Sequence, residues 1–146
     1  MLRGNYAAKI DDKARLKIPN AFRALLEKTH GSELFVTSLT GESVRIYPLP
    51  VWLALEERLA KAPSTHPSRN KFLDRVNYFG QAAEIDTQGR VVIHQRLRES
   101  AGMAGEVDVL GAVDRLDVWN HDRLVAKMLS DPYTDDDARA LSELGV

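Results

Sequence analysis

The stretch IDDKARLKIP at residues 10–19 recurs in layout as IDTQGRVVIH at residues 85–94. Asp11 and Arg15 reappear as Asp86 and Arg90, each displaced by 75 positions. In the first copy Leu16 and Ile18 fall on one face of a strand and Arg15 and Lys17 on the other. In the second, Val91 and Ile93 take the inner face and Arg90 and Val92 the outer one. A short carboxylate that opens a tight turn accepts backbone N–H groups. Each copy therefore predicts a hairpin with an aspartate at its turn, an apolar inner face and an exposed arginine. Gly89 suits a left-handed position just before Arg90. The first copy has Ala14 there, which would carry about 1 kcal/mol or more of strain if the two turns are alike.

The resemblance between the copies extends outward. After the first motif, NAFRALLEKTHG predicts a helix capped by Asn20, with Phe22, Leu25 and Leu26 on one face and an end near Gly31. After the second, QRLRESAG predicts a shorter helix carrying Leu97 and Ala101 and ending near Gly102. A hairpin follows each: ELFVTSL and VRIYPL around Gly41, then EVDVLG and DRLDVW, in which Val107, Val109, Leu116 and Val118 alternate with charged neighbours. A helix closes each half, with Trp52, Leu55 and Leu59 in one and Leu124, Val125, Met128 and Leu129 in the other. Pro63 and Pro67 mark a break between the halves, and Phe72, Val76 and Phe79 predict a further helix stopped at Gly80. Four short strands cannot bury both faces of a sheet alone. The expectation is a mainly β, α+β chain in which two pseudo-symmetric halves share one small barrel.

Composition narrows the function classes. With 146 residues, 44% hydrophobic and 28% charged, the chain suits one globular domain. It has no cysteine, which removes disulfides, thiolate metal sites and cysteine nucleophiles. The charged N-terminal stretch leaves no room for a signal-peptide core, and no apolar run is long enough to span a membrane, so the cytoplasm is the expected location. The net charge of −1 is unevenly spread. Residues 131–146 hold five acidic side chains against Arg139 and are expected to fray, whereas residues 3–23 carry Arg3, Lys9, Lys13, Arg15, Lys17 and Arg23 against Asp11 and Asp12.

The repeated pair has three readings. An arginine at the mouth of a twisted β-ribbon can present its planar fork to phosphates or to a guanine edge, and such a ribbon fits the major groove. Alternatively, each aspartate pairs with its own arginine only to hold the turn, an exposed contact worth about 0–1 kcal/mol. Thirdly, two aspartates about a pseudo-twofold axis could share a proton as an aspartyl enzyme does, and DTQG is similar to the Asp-Thr-Gly of aspartic proteases. That chemistry needs the carboxylates about 3 Å apart in a cleft. His30, His66, His94 and His121 have no metal-ligand spacing, and no phosphate-binding glycine loop or nucleophile motif is present.

The order MLRG, IDDKARLKIP, FR, YPLPVW, FG, AEIDTQGRVVI, LRESAG, DRLDVW resembles the MraZ family of bacterial transcriptional regulators across roughly residues 1–125. The resemblance implies a double SpoVT/AbrB-like fold of swapped hairpins sharing one barrel, with repeats at 5–51 and 81–124, a helical connection at 52–80, and a C-terminal helix and acidic tail at 125–146. It also implies a ring-like homo-oligomer in the cytoplasm and nucleoid. Such a ring would bind short tandem repeats in double-stranded DNA at the promoter of the division and cell-wall gene cluster, including its own gene, usually as a repressor. No enzymatic activity, cofactor, metal or membrane is implied.

The motif positions that carry over are Asp11, Arg15, Asp86 and Arg90, with Arg3 from the RG start; Ala14 departs from the usual glycine and His94 from a frequent proline. Arg15 would read bases, with Arg3, Lys9, Lys13 and Lys17 at phosphates. Asp11, Asp86 and Gly89 would shape the turns. The second copy has Glu84, Gln88 and Val92 in place of the lysines, so Arg90 is expected to take a lesser share. The competing expectation is an oligomeric scaffold or toxin-neutralising protein on the same fold.

Overall fold

The computed structural model describes residues 1–146. The first half contains β1 (Asn5–Lys9), β2 (Arg15–Lys17), α1 (Asn20–Thr29), β3 (Glu33–Thr37), β4 (Val44–Pro48) and α2 (Leu49–Lys61). Helix α3 (Pro67–Tyr78) connects it to β5 (Gln81–Glu84), β6 (Arg90–Val92), α4 (Gln95–Ser100), β7 (Glu106–Ala112), β8 (Arg115–Asn120), α5 (His121–Ser130) and α6 (Asp135–Glu143).

The α+β expectation holds. The alternating segments form an antiparallel six-stranded sheet in the order β1-β7-β8-β4-β3-β5, and β2 and β6 form a separate two-stranded ribbon. The opening strands pair across the chain: β1 lies on β7, with Lys9 opposite Glu106, and β5 lies on β3. The expected closed barrel does not form. β2 and β6, three residues each, leave the sheet and pair with one another, so β1 and β5 remain as the two ends of the row.

The alternation read from the sequence is what buries the ribbon. Leu16 and Val91 face each other across it, and together with Ile18 and Ile93 they join Phe22, Leu26, Leu97, Val107, Val109, Leu116 and Val118 in the main core. Burying each such side chain contributes about 1.5–3 kcal/mol. A smaller cluster of Tyr47, Trp52 and Val76 sits beneath α2 and α3, where Phe35 stacks on Trp52 at 4.4 Å.

Several local expectations change. Asn20 does not cap α1: Pro19 precedes the helix, and its fixed φ of −51° sets the entry instead. Leu25 is exposed, while Gly31, at φ 86°, ends the helix with its N–H on the Leu26 carbonyl. Pro67 begins α3, with the His66 ring accepting the Ser68 N–H. The two closing helices differ, because α2 buries Trp52 whereas α5 buries no residue. The acidic tail does not fray. Thr134 and Asp137 form a reciprocal capping box, and three aspartates in the first turn suit the helix dipole, so residues 135–143 are helical.

Candidate nucleic-acid interface

Each Asp-x-x-x-Arg motif folds into the same turn. Asp11 Oδ1 accepts the N–H groups of Lys13 and Arg15, both at 2.9 Å, and Oδ2 accepts Arg15 Nε at 2.8 Å. Asp86 repeats this with Gln88 N–H, Arg90 N–H and Arg90 Nε, all at 2.9 Å. The backbone matches too, for the aspartate N–H donates to the arginine carbonyl in both turns, at 3.0 and 2.9 Å. Gly89 is left-handed at φ 79°, and Ala14 occupies the same region at φ 63°. The alanine turn is therefore strained rather than different, held by the carboxylate contacts and by the core residues on either side.

The turns also hold each other. Ile18 N–H donates to the Gly89 carbonyl at 2.9 Å, and Ile93 N–H donates to the Ala14 carbonyl at 3.0 Å. The two left-handed residues thus present their carbonyls to the partner strands, which locks the ribbon at both ends.

The outer face of the ribbon carries two cross-strand pairs, Lys17 opposite Arg90 and Arg15 opposite Val92. Both arginine side chains are 25% exposed, less open than the alternation suggested, because Nε is bound to the aspartate. The contact that the turn-holding reading predicted is therefore present. It uses only Nε, however, and neither Nη atom of either arginine has a hydrogen-bond partner in the protein. The aspartate holds Nε and leaves the terminal donors unpaired on partly exposed side chains, and unpaired terminal donors are what bidentate recognition of a phosphate or guanine uses.

The remaining basic residues are divided by the fold. Lys13 is exposed in the first turn. Lys17 crosses to the second turn and donates to the Gln88 carbonyl at 2.7 Å. Arg23, which the spacing did not single out, joins it there: Nη2 donates to the Thr87 carbonyl at 3.1 Å while Nε pairs with Glu27 at 3.0 Å. A Cβ on Gly89 would lie 3.0 Å from the Arg23 side chain, so the glycine gives that arginine room. The sequence places Arg23 in the basic stretch of residues 3–23 but signals no role for it at the second turn. Basic side chains therefore stand at the second turn as well as the first. Lys9 is exposed at the end of β1 leading into the first turn. Arg3 lies before the start of β1, six residue steps of about 3.3 Å from Lys9, or about 20 Å. The fold does not bring it to the turns.

The electrostatics oppose acid–base work. The Arg15 backbone N–H, with its guanidinium behind it, holds the Asp11 carboxyl below the ordinary carboxylate range, and Arg90 does the same for Asp86. A proton-sharing dyad requires one carboxyl to be pushed up, whereas each of these is held ionised by its own turn. Three of the four histidines have structural partners: His66 caps α3, His94 Nε2 lies 2.6 Å from the Phe79 carbonyl, and His121 Nδ1 lies 2.7 Å from Asp108 Oδ2. No three His, Asp or Glu side chains are grouped to hold a metal ion, and no helix is long and apolar enough to cross a membrane.

Comparison with known proteins gives one answer. The family model described as "MraZ protein, putative antitoxin-like" matches residues 1–75 and 80–144. A protein of Acidobacterium capsulatum named transcriptional regulator MraZ is 44% identical over 146 residues, covering all of both chains. A namesake from Koribacter versatilis is 44% identical over 147 residues, and one from Caldicellulosiruptor bescii is 34% identical over 148, again with full coverage of both. These relatives bear a regulator's name, not an enzyme's, and the chain with its paired Asp-held arginines belongs to the MraZ family.

Proposed function

We propose that this chain is a DNA-binding transcriptional regulator whose β2–β6 ribbon and its two turns form the DNA-contacting surface. The observation that carries the reading is the pair of arginines whose Nε is fixed by an aspartate while both Nη groups stay available. Arg15 and Arg90 contact base edges or the nearest phosphates, and Lys9, Lys13 and Lys17 contact phosphates along the backbone. Arg23 shapes the second turn, and Asp11, Asp86 and Gly89 shape the arginines' platform. Arg3 contributes only if a neighbouring copy or a bent duplex reaches the far end of β1.

The chain is read as two pseudo-symmetric swapped-hairpin repeats, 5–51 and 81–124, joined by helices at 52–80 and followed by a C-terminal segment at 125–146. The strand order supports this, for it is unchanged when β1–β4 are exchanged with β5–β8 and read backwards. One ribbon with few basic contacts binds weakly and loses affinity steeply with salt. A ring-like homo-oligomer that presents several ribbons to tandem promoter repeats multiplies affinity through effective concentration, by about 10²–10⁴ when the spacing matches. Repression of the chain's own promoter, within the cytoplasm and nucleoid, is the regulatory outcome this assembly suits.

The test is binding to duplex DNA from upstream of the chain's own gene, for wild type and Arg15→Ala, across a salt series. Saturable binding weakened at least tenfold by Arg15→Ala, about 1.4 kcal/mol, is expected, with a shallower salt slope for Lys13→Ala. Equal binding by wild type and Arg15→Ala, or no preference over unrelated DNA, would remove the ribbon's role and favour the scaffold or toxin-neutralising reading.

A further inference from the structure

Four side chains project from the outer face of the β2–β6 ribbon, and three of them are cationic. Arg15, Lys17 and Arg90 stand there with Val92, which is 55% exposed. Val92 lies directly across the ribbon from Arg15, and Arg90 precedes it by two positions on the same strand and the same face. A lone apolar side chain on a protein surface is ordinary. This one sits within a surface whose other outward side chains all carry positive charge.

The internal repeat shows what could stand there instead. The offset of 75 that relates the two motifs carries Lys17 onto position 92, so Val92 is the counterpart of a lysine. Lys17 reaches the second turn, where its Nζ donates to the Gln88 carbonyl at 2.7 Å. By the same offset the equivalent carbonyl belongs to Lys13, and a valine has no donor to offer it. Val92 does not join the core either, which takes its neighbours Val91 and Ile93. It therefore holds no turn and fills no interior space. A fourth cation at this corner would add a phosphate contact and strengthen binding to any duplex. An apolar side chain forgoes that gain and is favoured only where the nucleic acid itself presents an apolar group.

In the major groove that group is the C5 methyl of thymine. Residues directly opposite each other on antiparallel strands have Cβ atoms about 4.5–5.5 Å apart, and successive bases of one DNA strand rise by about 3.4 Å. Arg15 and Val92 therefore reach the same base pair or closely neighbouring ones. We propose that Val92 is a specificity-determining residue whose methyl groups pack on the C5 methyl of a thymine beside the base that Arg15 contacts. The inference rests on the ribbon being the DNA-contacting surface and adds to that reading a residue and the base it selects.

The experiment uses the full-length chain and two duplexes of one sequence, the DNA from upstream of the chain's own gene, made with thymine or with uracil at every thymine position. Uracil keeps the pairing edge and lacks only the methyl group. Wild type is expected to bind the thymine duplex roughly three- to fourfold more tightly, the factor that one buried methyl group contributes. Val92→Ser, at an exposed position, is expected to lose roughly that factor on the thymine duplex and to bind both duplexes alike. Val92→Lys is expected to bind unrelated DNA more tightly than wild type does, with a smaller preference for the promoter duplex and a steeper salt slope. A wild type indifferent to the methyl group overturns the proposal. So does a Val92→Ser protein that keeps the thymine preference, because the methyl group is then read elsewhere, or a Val92→Lys protein with undiminished promoter preference. Arg15→Ala on the thymine duplex separates the two levels of failure. If it weakens binding while the methyl group has no effect, the ribbon still contacts DNA and only the role of Val92 falls; if it binds as wild type does, both fall together.

Discussion

Exchanging the residues at the two left-handed positions tests the turn geometry most directly. Ala14 at φ 63° and Gly89 at φ 79° occupy equivalent places in turns with the same hydrogen bonds. A non-glycine residue there costs about 1–2 kcal/mol. Ala14→Gly recovers that strain but gives the unfolded chain freedom worth about 0.4–1 kcal/mol. The expected net is stabilisation of about 0.5–1 kcal/mol. Gly89→Ala reverses both contributions and adds a Cβ 3.0 Å from Arg23 Cδ and Nη1. It should destabilise by about 1 kcal/mol or somewhat more, because the Arg23 contacts to Thr87 and Glu27 must shift as well. Near 150 residues, 1 kcal/mol moves the melting temperature by about 2–4 °C. Urea unfolding followed through Trp52 and Trp119, at one fixed protein concentration because assembly couples to stability, should move the midpoint up for Ala14→Gly and down for Gly89→Ala with unchanged slopes. A destabilising Ala14→Gly, or a neutral Gly89→Ala, would refute the equivalence of the turns.

Three further outcomes follow from the same geometry. Asp86→Asn removes the acceptor that fixes Arg90. Since the Asp86 and Asp11 carboxyls are held low in the folded chain, their contribution is present above about pH 4 and fades as the pH falls through the depressed values; wild type should therefore lose stability in acid more steeply than the asparagine variant, as read by urea midpoints between pH 2 and 6. His121 is held above the ordinary imidazole value by its hydrogen bond to buried Asp108, so its contribution is complete below about pH 6.5 and is lost as the pH rises through the raised value. Hydrogen exchange in α5 should accelerate over that interval and show no such step in His121→Gln. Finally, Gly111→Ala would place a Cβ 2.3 Å from the Arg3 backbone nitrogen, so the Leu2–Val113 bridge should open, and proteolysis of the first four residues should quicken while the melting temperature falls by a few degrees.

The residues that were legible from sequence are those whose local pattern and tertiary role agree. Leu16, Ile18, Val91 and Ile93 alternate as strand residues and are buried as such, and Asp11 and Asp86 carry a turn chemistry contained in five consecutive residues. Where partners are distant in the chain, the pattern was silent. Nothing around Arg23 announces Thr87, 64 positions away, and Asp108 reads as an outward strand residue although it is 5% exposed between Asn5 and His121. The expected barrel failed for a related reason, because alternation assigns a face to β2 and β6 but not a neighbour. The acidic tail misled through composition, for its low apolar content suggested fraying while Thr134 and Asp137 supplied the cap.

The exchange of opening strands bears on what the chain tolerates if it is cut. Because β1 pairs with β7, β5 with β3 and β2 with β6, neither half retains its own complement of strands. The exposed Pro63–His66 stretch between α2 and α3 is the natural place for a nick, and cleavage there would leave two fragments clasped by four sets of strand hydrogen bonds, β4 on β8 being the fourth, and a common core. Such a nicked protein should stay folded, and separately produced fragments should find one another by complementation. A premature stop in the same stretch would instead release a piece with a vacant strand position, ready to be filled by another such piece.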